Sequence, residues 1–223
     1  MTRKFVFGLP PANPDFNREA EGWRLLKEPS PVVSCWLIGL PLAIVLGFLF
    51  YEMANRWAGF SMDQLFEQSS LATLWAIWVA LIVVHELLHG LIHPGLGLSP
   101  HTFFGLSLKT GAFWAHYTGP MSRERMLLLM VTPFLALSVI TLLIACLVPP
   151  VAITAGFVAI LNAAFSAVDL FGSSMIMAGI PAGATVQNNG WSTYWKPGCS
   201  NWRDGSEITP AQPEPARTFD ERT

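Results

Sequence analysis

The sequence predicts an all-α membrane protein: a bundle of about four transmembrane helices with an interfacial β-hairpin between the second and third spans. Three observations carry this expectation. Of 223 residues, 52% are hydrophobic and only 13% charged, where a soluble domain carries about 25% charged residues. The mean hydropathy is +0.44. Four apolar stretches are each long enough for a hydrocarbon core that needs about 20 helical residues. They run without two-residue alternation, which favours helices over barrel strands.

Residues 1–31 form a polar, Pro-rich segment with no cleavable signal pattern. A membrane-embedded domain is expected over 32–183, with spans at about 32–51, 71–93, 126–148 and 151–180. Pro41 lies inside the first span and Pro133 inside the third, where it predicts a kink. Pro149-Pro150 forces a tight reversal before the fourth. Between spans two and three, Thr102 to Leu108 and Ala112 to Tyr117 are rich in aromatic and strand-forming residues around Lys109-Thr110-Gly111. That pattern reads as a hairpin, with an edge that an extended peptide could join. Residues 184–223 are expected as a tail whose aromatic part, Trp191, Tyr194, Trp195 and Trp202, sits at headgroup level and whose end is disordered.

Twelve of the thirteen Lys and Arg residues fall on one side of this arrangement, and Arg56 alone on the other. The positive-inside rule makes the rich side cytoplasmic, with both termini there, in the cell (inner) membrane. The net charge of −2 offers nothing for nucleic acid. Cys35, Cys146 and Cys199 are an odd, widely spaced set, unsuited to a disulfide framework or a thiolate metal site.

The second span contains His85-Glu86-Leu87-Leu88-His89. On a helix the two histidines share a face one turn apart, so both can grip one Zn²⁺ while Glu86 acts as general base on a metal-bound water. Ionisable groups inside a span cost several kcal/mol unless pairing or function retains them. A zinc hydrolase needs a third protein ligand. His93 lies about 12 Å along the axis from His85, too far for one ion, and Pro94-Gly95 makes it a solvated helix-end residue. Asp169 is the better candidate. It is the only acidic residue in the spans besides Glu86, and it falls 18 residues into span four, as His85 and His89 fall 14 and 18 into span two. At about 1.5 Å per residue these depths agree within about one turn. Asn162 and Ser166 precede Asp169 on the same face; Asn162 could donate to an oxyanion or substrate backbone, or both could bond across packed helices. His101 and His116 read as interfacial side chains, since no spacing ties them to the motif.

With His85-Glu86-Leu87-Leu88-His89-Gly90 in one span and Asp169-Leu170 in a later one, the chain resembles the intramembrane zinc metalloproteases of the site-2 protease type. It looks most like their small relatives, the putative zincin peptidases of bacterial membranes. Pro120 to Pro133, Asn162 to Leu170, Asn189-Gly190-Trp191 and Tyr194-Trp195 add to the likeness. Site-2 proteases usually place their aspartate in Asn-Pro-Asp-Gly, whereas this chain has Val168-Asp169-Leu170. The resemblance implies zinc on His85, His89 and Asp169, with Glu86 activating water. It also implies a membrane-associated protein or peptide as substrate, presented as an added strand by residues 94–125. The competing expectation is a metal-binding membrane protein without proteolysis, a scaffold or carrier, for which Glu86→Gln would be silent. A di-iron hydroxylase fails on its histidine count, since only five are present.

Overall fold

The computed structural model describes residues 5–198. Helix α1 spans Val33–Ala58, α2 Met62–Gln68, α3 Leu71–Ile92, α4 Arg123–Leu147, α5 Pro149–Phe165 and α6 Ala167–Gly179. By length and composition, α1, α3 and α4 can each cross a membrane, and α5 with α6 makes a fourth candidate if the bent pair is one span. Their outward faces are what a bilayer accepts and water does not. Leu37, Ile44 and Phe48 on α1 and Trp75, Val79 and Leu87 on α3 are exposed. Small residues occupy the helix contacts instead: Ala54, Ala159 and Ala163 are fully buried. That is the packing expected where lipid removes the hydrophobic drive between helices.

Helix ends follow local chemistry more than the limits of the apolar runs. The first helix continues past Tyr51 to Ala58, with Glu52 and Arg56 paired at 3.1 Å on its surface, and Gly59 stops it in a left-handed conformation, φ +67°. Ser70 caps α3 by accepting from the Thr73 amide at 3.1 Å, and Ser122 caps α4 by accepting from Arg125 at 3.2 Å. Two stretches, Val33–Gly39 and Phe134–Val139, are wound in wide π-type turns. The second directly follows Pro133, which lacks an amide for the α-helical ladder. The expected single helix over 151–180 is instead broken. Its axis bends by 48° at Ser166, whose ψ of 0° leaves the helical range.

The structure is not all-α apart from one hairpin. Strands β1 (Phe5–Phe7), β2 (Arg24–Leu25), β3 (Thr102–Ser107), β4 (Ala112–Tyr117), β5 (Pro120–Ser122), β6 (Thr185–Asn189) and β7 (Ser192–Lys196) form two sheets. The predicted hairpin is β3–β4, in antiparallel register from Thr102↔Tyr117 to Ser107↔Ala112. β1 adds to it in parallel. The second sheet has the order β2-β7-β6-β5 and is antiparallel throughout. Trp191, Tyr194 and Trp195 thus belong to a folded hairpin whose turn Gly190, φ +60°, tightens. Its partner strands lie more than sixty residues away in sequence, which local pattern does not reveal. Trp202 and the expected disordered end lie outside the described residues.

The hairpin docks on α3 at Gly90, where an added Cβ would stand 2.7 Å from the Phe104 ring. Met121, Met126, Ile176 and Val186 join the second sheet to α4 and α6 in one core. The metal-ligating types therefore face a junction of α3, α4, the helix break and β4.

A candidate metal centre at the helix break

His85 and His89 stand one turn apart on α3, both buried, with their Nε2 atoms 3.2 Å apart. Asp169, in the first turn of α6, brings Oδ2 to 3.1 Å from His85 Nε2 and 3.4 Å from His89 Nε2. Three donors held about 2.0–2.1 Å from a tetrahedral zinc ion lie about 3.3 Å from one another. The triangle of 3.1, 3.2 and 3.4 Å has that size, so these residues fit a zinc ion with one side left open.

The other ring nitrogens fix which atoms face the centre. His89 Nδ1 donates to the Leu129 carbonyl at 2.9 Å, an acceptor only. His85 Nδ1 lies 2.8 Å from Asn162 Oδ1. The orientation of that amide is set by its far end, since Asn162 Nδ2 donates to the Pro133 carbonyl at 2.9 Å and to Ser138 Oγ at 2.8 Å. Nδ1 therefore carries the proton on both neutral rings, and both Nε2 lone pairs converge on Asp169 Oδ2. Such convergence of acceptor atoms is what a cation satisfies. Among the described residues, this is the one group of three or more His, Cys, Asp or Glu side chains placed to share an ion.

Glu86 points to the opposite wall. The Ala115 amide on β4 donates to its carboxylate, while Oε2 is buried without a partner. A cavity of about 190 Å³ opens beside Glu86, lined by His85, His89, Ala115, Tyr117 and Asp169. Among the described residues β4 is an edge strand that pairs only with β3, and residues 112–115 line this cavity. Its free edge passes the centre.

The structure gives Asn162 a different position from an oxyanion donor. It is fully buried, and its amide hydrogens are taken by Pro133, Ser138 and Ser166. It holds His85, and it has no hydrogen left to offer a substrate. Ser166 belongs to the same network. His93 is not a ligand and is not solvated either. It is 1% exposed, because β4 covers the end of α3 and brings the Tyr117 ring to 5.5 Å. His101 lies near the Thr118 hydroxyl at 3.4 Å. His116 is buried, with Nε2 unpartnered, and desolvation lowers its pKa to about 4. Residues missed from the sequence are Leu129 and Ala115, which act through the main chain, and Ser138, whose partner is a helix away. Main-chain donors and acceptors leave no mark on residue type.

Residues 78–184 match a protein family described as "putative zincin peptidase". The matched stretch holds His85, Glu86, His89, Asn162 and Asp169, together with β3, β4 and β5. The match covers 107 of the 223 residues, and within it His85, His89 and Asp169 are placed so that they could hold a metal ion. No curated protein and no solved structure matches the chain.

Proposed function

We propose that this protein is a membrane-embedded zinc metallopeptidase of the site-2 protease type that cleaves membrane-associated protein or peptide substrates. The observation that carries the reading is the 3.1–3.4 Å triangle of His85 Nε2, His89 Nε2 and Asp169 Oδ2 beside a carboxylate oxygen with no partner, Glu86 Oε2. Zinc held there would polarise a scissile carbonyl and make water nucleophilic near neutral pH. Glu86 Oε2 takes the proton from the attacking water and delivers it to the leaving amine. The Ala115 amide keeps the carboxylate turned towards the cavity. A helical substrate must unwind first, because its amides are internally bonded. The free edge of β4 offers it main-chain pairing as an extended strand alongside Glu86. In this reading the site lies in the cytoplasmic half of the bilayer of the cell membrane, with both termini cytoplasmic.

The test is cleavage of a tagged single-span substrate in cells. Wild type should release a shorter product, and Glu86→Gln should not. Equal product from both would overturn the reading.

A further inference from the structure

A carboxylate that this chemistry does not use lies in the cavity next to the metal centre. Glu28 sits between β2 and α1, and both its oxygens are oriented by one residue. The Thr193 amide donates to Oε2 at 2.9 Å and the Thr193 hydroxyl to Oε1 at 3.0 Å. Glu28 is half-buried, and among the described residues no ion pair includes it. Burial raises the Glu28 pKa above the ordinary carboxylate value and the two Thr193 hydrogen bonds offset only part of this, while each oxygen retains a lone pair for another donor. A partly desolvated carboxylate with no cation has unmet demand.

The cavity around it measures about 160 Å³ and is lined by Glu28, Thr193, Trp114, Trp191 and Asp169 among others. It is smaller than sites that take whole cofactors or drug-sized ligands, and suits one long side chain. Trp114 and Trp191 are among its lining residues, and an indole ring can attract a cation placed over its face. His116, on its wall, is kept neutral by burial, and among the described residues no Lys or Arg lines the cavity. Trp114, Ala115, Asp169 and Trp191 also line the cavity at the metal centre, so a strand along β4 would pass both. Glu28, Trp191 and Thr193 lie outside the stretch that matches the zincin peptidase family.

We propose that this cavity is a specificity pocket that receives a basic side chain, arginine or lysine, of the peptide bound at the metal centre. The proposal rests on the peptidase reading for its place beside a scissile bond. The binding itself can be measured without turnover.

The experiment uses the full chain in lipid nanodiscs, carrying Glu86→Gln to block hydrolysis. A single arginine is moved along an otherwise neutral peptide, and the tightest binder is compared with its citrulline counterpart by calorimetry. Arginine should bind at least about ten-fold tighter, and adding Glu28→Gln should reduce that ratio to below about two-fold at unchanged zinc content. Trp191→Leu serves as the second variant if Glu28→Gln loses zinc, and should also shrink the ratio. Equal affinity for arginine and citrulline overturns the pocket, as does no binding of any arginine peptide or a ratio that survives the variants. Hydrolysis is scored separately with Glu86 intact. Preference without hydrolysis would support the pocket and remove the peptidase reading; hydrolysis without preference would do the reverse.

Discussion

Asn162 holds His85 by its Nδ1 at 2.8 Å, while Asp169, seven residues further on, meets Nε2 of the same ring at 3.1 Å. The two lie on either side of the break at Ser166, so the bent helix pair grips His85 from both ends. Asn162 is thus a positioning residue for a ligand. Replacing such partners typically costs 10–100-fold in metal affinity. Asn162→Ala should weaken zinc binding by about that factor in a chelator competition. Unchanged affinity would show that the ring is held well enough by packing alone.

Asp169 supplies the third donor, so Asp169→Ala should purify with little zinc, and His85→Ala likewise. Glu86→Gln should retain it, because Glu86 is not placed in the triangle. Metal analysis of the purified proteins distinguishes these outcomes. Full zinc in Asp169→Ala would remove that residue from the ligand set.

Close approach of α1 to α6 depends on Gly39. A Cβ there would stand 2.7 Å from Val168 Cγ2 and 2.9 Å from the Ser34 carbonyl oxygen. Val168 precedes the proposed ligand Asp169 in sequence. Gly39→Val should cost about 1–3 kcal/mol through overpacking, and should lower zinc affinity as α6 shifts. Denaturant unfolding and chelator competition on one sample report both effects. A loss of stability with zinc affinity intact would show that the shift is absorbed before Asp169.

His116 gives a pH signature outside the spans. Its folded pKa of about 4 lies below the ordinary 6.5, so the unfolded chain binds the proton first. Stability from this group is full above about 6.5 and is lost as pH falls towards 4, by up to about 3 kcal/mol. His116→Phe should flatten the acid limb between those values relative to wild type. Parallel curves for the two proteins would refute the assignment.

What could be read from the sequence was local in character. The strands of the β3–β4 hairpin were legible because they flank Lys109-Thr110-Gly111, and α3 because its apolar run is uninterrupted. Asp169 stood out as one carboxylate in an otherwise apolar stretch. The second sheet was hidden because Thr185 to Asn189 is polar and its neighbours come from residues 24–25 and 120–122. Asn162 lay on a recognisable face, but which end of its amide met which partner depended on Pro133 and Ser138 from another helix. The break at Ser166 involves neither proline nor glycine, the residues that usually announce one. In sequence Glu28 is one charge in a polar segment. Only the fold turns it towards a cavity.

The donors at the metal centre come from distant parts of the chain: His85 and His89 from α3, and Asp169 about eighty residues later. The carbonyl of Leu129 and the amide of Asn162, which aim the two rings, lie between them. In a bilayer this imposes an order of construction. When α3 inserts during synthesis, its two histidines and Glu86 have none of these partners, and the centre is closed only when the last helix pair packs against it. On the proposed function zinc acquisition would be a late event in biogenesis, and a chain truncated before α6 should insert yet remain metal-poor.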